Sequence, residues 1–153
     1  MKYYHRLALG LALLGALAIT ANAQQKPGAH PHYEHALSDL RSARWLLSNT
    51  AGDSKVSANE KRAIGEIDGA INEIKTASID DGKSLNDHPQ VDVKEHGSRL
   101  LQATEALHSA RKDVDMAEDN PQLKGLKQRV NGHIDHAIQA ADAAHAEWLK
   151  EKK

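Results

Sequence analysis

VKEHGSRLLQATEALHSARKDVDMA, residues 93–117, decides the fold. Val93, His96, Leu100, Ala103, Leu107, Ala110, Val114 and Ala117 recur at steps of three and four, which places them on one face of an α-helix. The same spacing appears three more times. Tyr33, Ala36, Leu40, Ala43 and Leu47 form one stripe, widened by Leu37; Ile64, Ile67, Ile71 and Ile74 form a second. Leu126, Val130, Ile134, Ala137, Ala141 and Ala144 form the last, with Trp148 near its end.

The punctuation between the stripes sets helix limits of about 33–49, 58–79, 91–117 and 121–149. Gly52, Asp53 and Ser54 mark a turn, and Ser57 followed by Glu60 is a capping box that satisfies amides at a helix start. Asp80–Pro89, the longest connection, cannot continue a helix, and Asn120-Pro121 combines a capping residue with a proline suited to the first helical position. Gly65 and Gly69, four apart beside the isoleucine face, permit close approach of another helix.

Four amphipathic helices joined by turns predict an all-α, antiparallel up-down four-helix bundle. Leu40, Ser42, Ala43 and Arg44 recur as Leu107, Ser109, Ala110 and Arg111, while Gly65, Ile67, Asp68 and Ala70 recur as Gly132, Ile134, Asp135 and Ala137. Both sets are offset by 67 residues, which suggests a duplicated helical hairpin. Abundant alanine and the absence of phenylalanine imply a thin, closely spaced core.

Residues 1–23 have the organisation of a secretory signal peptide: Lys2, His5 and Arg6, then the 13-residue apolar run Leu7–Ile19, then Ala21-Asn22-Ala23 as a small-x-small cleavage site. Residues 24–153 then make one domain of a periplasmic or secreted protein. The apolar run is short for a membrane span and nothing later replaces it, so no stable membrane insertion is expected. Without Lys2 and Arg6 the basic side chains fall from 20 to 18 against 21 acidic ones, a balance that gives no reason to expect nucleic acid as a partner.

Histidine is the unusual component. Ten are present, nine of them beyond the leader. Imidazole suits copper, nickel and zinc, and a pair three or four apart on a helix presents both rings to one ion. His32/His35 and His133/His136 have this spacing, each within His-x-x-His-Ala-apolar. In an up-down-up-down path, His30, His32, His35, His88, His96 and His145 would collect at one end. His32, His35, His96 and His145 are therefore the expected metal ligands, with His88 completing the set.

Other constellations lack members. Glu105-x-x-His108 is one copy where a di-iron bundle needs two, and the 80–87 segment lacks the alternating ligands and final glutamate of a calcium loop. Without cysteine there is no attachment site for haem c and no disulfide. No phosphate-binding glycine loop, zincin motif or serine nucleophile elbow is present, and no enzymatic activity is expected.

The stretch His133-Ile-Asp-His136-Ala-Ile-Gln-Ala-Ala-Asp-Ala-Ala-His145, on an alanine-rich, cysteine-free chain with a leader, resembles the small histidine-rich periplasmic metal-binding proteins built as four-helix bundles. That resemblance implies sequestration or buffering of divalent metals, especially copper. The expected function is non-catalytic binding of a divalent transition metal, with a periplasmic protein or a second copy as further partners. The competing reading is a stress-related or structural bundle whose histidines respond to acid.

Overall fold

The computed structural model describes residues 30–49, 55–77, 79–90, 93–117 and 123–153. Among these, the chain forms four α-helices and no strand: α1 (Pro31–Ser48), α2 (Ala58–Thr76), α3 (His96–Met116) and α4 (Leu126–Glu151). The expected leader, the turn at 50–54 and the Asn120-Pro121 helix start lie outside the described residues.

Local chemistry accounts for the boundaries. α1 starts at Pro31, whose missing amide costs nothing at the first helical position. At the start of α2 the expected box is closed: Ser57 Oγ accepts from the Glu60 amide at 3.1 Å, and Glu60 Oε2 accepts from the Ser57 amide at 2.6 Å. α3 starts later than the apolar spacing suggests, because Glu95 caps it by accepting from the Ser98 amide at 2.6 Å. Gly125, in the left-handed region at φ 76°, turns the chain into α4 at Leu126. A side chain there would be strained.

The predicted stripes meet in one apolar cluster drawn from all four helices, with Leu37, Leu40, Ile67, Ile71, Leu107 and Ile134 fully enclosed. Alanines 36, 43, 63, 70, 103, 110, 137, 140 and 141 fill the gaps without exposure. Ile64 departs from the expectation and is only partly buried. No helix among the described residues is long and apolar enough to cross a membrane.

Neighbouring helices are antiparallel, as the bundle class requires, but one connection follows a different path. α1 packs mainly on α3, and α2 on α4, with the α1·α2 and α3·α4 contacts closing the square. Directions follow from cross-helix pairs. Arg111 meets Asp135 and Thr104 meets Asp142, so α3 and α4 are antiparallel; Glu73 meets Arg129 and Asn59 meets Glu147, so α2 and α4 are too. His96 at the start of α3 meets Glu60 at the start of α2, so these two run the same way. The order is thus up-down-down-up, in place of the expected up-down-up-down.

The connection between α2 and α3, described at residues 79–90, makes this possible by crossing the bundle. α2, at 1.5 Å rise per residue, is about 28 Å long, well within the reach of such a segment. Two contacts lay the crossover along α1. Arg41, 0% exposed, donates from Nη1 and Nη2 to the two carboxylate oxygens of Asp81, each at 2.6 Å, and His88 lies 4.6 Å from Trp45 between ring centroids. Burial opposes ionisation of Asp81, but hydrogen bonds from Arg41 and the Lys83 amide outweigh it and hold its pKa below the usual range.

Candidate metal centre

The crossover separates the five expected ligands. His32 and His35 stay at the first turns of α1, whereas His88, His96 and His145 fall at the opposite end, most of the length of α1 away, roughly 20 Å. The gathering at one end depended on α3 starting beside the start of α1; it starts beside the end of α1 instead.

Each ring at the far end has a local partner. The His88 Nδ1–H donates to the Pro89 carbonyl at 2.7 Å. His96 Nε2 donates to Glu60 Oε1 at 2.8 Å, and this carboxylate, 1% exposed, also caps α2. His145 stacks on Trp148 at 5.8 Å, and Trp148 in turn rests on α3 where Gly97 carries no side chain.

The two His-x-x-His motifs are placed differently. His133 and His136 lie on α4 against Glu66 of α2: Glu66 Oε2 is 2.7 Å from His133 Nδ1 and 3.8 Å from His136 Nδ1. The seat is shaped for the first ring, since a Cβ at Gly69 would come within 2.8 Å of His133 Nδ1 and Cε1. Gly69 thus provides the close approach expected of the glycine pair, with an imidazole rather than a backbone filling it. Gly65 has nothing within 4 Å of where its Cβ would lie. Beside the rings opens a groove of about 520 Å³, lined also by Glu73, Gln128, Arg129 and Gly132. His136 is 65% exposed and His133 36%, so solutes reach both.

On the α1·α3 seam, His32 Nδ1 is 3.7 Å from Asp113 Oδ1, too far for a hydrogen bond, and this buried nitrogen has no other partner. Asp39, one turn beyond His35, has its pKa raised, mainly by burial, with the Asp113 carboxylate adding to the rise; Ser109 and His35 oppose it. Two carboxylates thus share a partly buried seam with imidazoles as the nearby bases. His30 sits edge-on to Tyr33 at 6.4 Å.

Among the described residues, no group of three or more His, Asp or Glu side chains is placed to hold a metal ion. No family model matches the chain, and neither a similar curated protein nor a similar solved structure was found.

Sequence spacing identified both histidine pairs but missed their carboxylate partners, Glu66, Asp113 and Asp39. One signal was available: Glu66 and His133 are separated by 67 residues, the same offset at which the residue sets of the sequence recur. Corresponding positions on adjacent antiparallel helices face each other near the crossing point. Arg44–Asp68 at 2.6 Å and Arg111–Asp135 at 2.9 Å likewise sit at positions 67 apart, one pair within each hairpin.

Proposed function

We propose that this protein binds a divalent transition metal without catalysing a reaction, and that the α2·α4 seam holds the principal site. One observation carries the reading: a single carboxylate oxygen of Glu66 is hydrogen-bonded to His133 and lies within 4 Å of His136. Donor atoms about 2.0–2.1 Å from a zinc-sized ion are about 3 Å apart, and the Nδ1···Oε2 separations of 2.7 and 3.8 Å bracket that value. Because no three such side chains among the described residues are placed to hold an ion, the site requires side-chain rotation to bring the three donors together, and the groove supplies room for it and for water or another ligand.

His32 and His35, with Asp113 and Asp39, form a second station by the same logic. A cation there would offset the mutual repulsion of the two aspartates and give the unpartnered His32 nitrogen a role. His88, His96 and His145 are left out, because their contacts are with a carbonyl, with a carboxylate reached by one imidazole, and with an indole, and none pairs two imidazoles with one carboxylate. Imidazole and carboxylate donors without thiolate suit copper(II), nickel or zinc. Both stations join one hairpin to the other, so bound ions would tie the hairpins together. The leader-like pattern of residues 1–23 supports a location in the periplasm or outside the cell, and the paired ion bridges support a duplicated hairpin as the origin of the fold.

The test is metal content of protein purified without a chelating column, followed by titration of the stripped protein with copper, nickel and zinc. Replacing His133 and His136 by glutamine should weaken the tightest event at least about tenfold, and His32→Ala with His35→Ala should remove the weaker one. Wild-type affinity no better than about 100 µM for all three ions would sink the proposal.

A further inference from the structure

Away from both seams, the last turn of α1 and the crossover enclose a cleft of about 310 Å³ that the metal reading does not use. Its size is at the lower end for small-molecule sites, about 300–1,000 Å³. We propose that this cleft binds a neutral sugar of one or two rings.

The walls define the class of ligand. Trp45 contributes a partly buried indole, with the His88 imidazole tilted across it by 34° and Leu85, 40% exposed, at the crossover. His88 covers part of the Trp45 face, and the parts of Trp45, His88 and Leu85 that line the cleft offer an apolar surface to the C–H face of a pyranose ring. The remaining lining is polar and holds both donors and acceptors. Ser48 Oγ and Asn49 Nδ2 both donate to the Trp45 carbonyl, at 3.1 and 3.0 Å, which leaves Ser48 Oγ and Asn49 Oδ1 as acceptors. In the tautomer whose Nδ1–H donates to the Pro89 carbonyl, the His88 ring presents Nε2 as an acceptor. The Asn86 carboxamide offers both functions, and Arg44 offers the Nη donors not engaged through Nε.

Charge excludes the obvious alternatives. Arg44 is the one charged side chain in the lining, and Asp68 neutralises it at 2.6 Å, so an anionic ligand finds no spare cation. No carboxylate lines the cleft to hold an amine. A ring with an apolar face and hydroxyls that each donate and accept matches what remains.

Trp148, at the end of α4 and outside the cleft, provides an internal control. The isotope-labelled full chain is titrated with glucose, galactose, N-acetylglucosamine and cellobiose, each to about 50 mM, while both indole N–H signals are followed. The expected result is a saturable shift of the Trp45 signal with at least one sugar and none at Trp148. Replacing Asn49 and Asn86, at the surface, by alanine should weaken that binding about tenfold while leaving the fold intact. No saturation with any of the four sugars would overturn the proposal. So would equal shifts of both indoles, insensitive to the two asparagines, or saturation by benzoate alone, which would make the ligand an anion.

Discussion

The two ends of the bundle hold three histidines each and use them in different ways. At the end where α2 and α3 begin, His96 is hydrogen-bonded to a buried glutamate, His88 to a carbonyl, and His145 is stacked on an indole. At the end where α1 begins, His32 has a buried nitrogen without a hydrogen bond and His35 is exposed. Identical chemistry is thus structural in one place and available in the other. What differs is the partner: at the first end each ring already has a contact at hydrogen-bond or stacking distance, whereas at the second His32 Nδ1 has none.

The comparison depends first on the crossover, which carries His88 to the far end. Asp81→Asn leaves the fully buried Arg41 without its counter-charge and should cost about 3–5 kcal/mol in denaturant unfolding, the largest effect of any change considered. A loss below about 1 kcal/mol would mean that the crossover is not held by this pair.

Acid should act on the same contact. Because the pKa of Asp81 is lowered on folding, its stabilisation is present above the ordinary aspartate value of about 3.9 and disappears as pH falls through the depressed folded value. Asp39, with a raised pKa, has the opposite sign: its contribution is complete below the unfolded value and is lost as pH rises through the folded one. In unfolding midpoints between pH 2 and 6, Asp81→Asn should flatten the acid limb; an unchanged limb would assign acid sensitivity to other carboxylates.

The ends themselves can be compared by substitution. Glu60→Ala removes a helix cap and the His96 partner together and should cost about 2 kcal/mol, whereas His32→Ala should cost no more than about 0.5 kcal/mol. Equal losses would remove the distinction between structural and available histidines. Gly69→Ala should have the smallest net effect on stability, because the gain in helix propensity of up to about 1 kcal/mol offsets displacement of a movable ring. Its expected signature is a tenfold loss of metal affinity without unfolding, read by titration beside thermal melting.

Helix positions were legible because apolar spacing repeats along each element and Ser57–Glu60 fixes a boundary through local bonds. The path between α2 and α3 was not. A connection of this length can either turn back or cross the bundle, and the contact that selects crossing, Arg41 with Asp81, joins residues 40 apart. Arg41 also occupies a buried position that a reading of apolar stripes passes over. The site divides along the same line: His133 and His136 are neighbours on one helix and can be found by spacing, whereas Glu66 becomes their partner only once α2 and α4 are known to be adjacent.

The packing of α1 on α3 and of α2 on α4 also bears on how the chain reaches its final form. When the first hairpin has been synthesised, Leu37, Leu40, Ile67 and Ile71 still lack the helices that will cover them. The second hairpin is required before this surface leaves water, so the two halves mature as one cooperative unit rather than in succession. Until then the nascent chain presents a long greasy face, and its safe passage depends on how quickly the remaining residues follow.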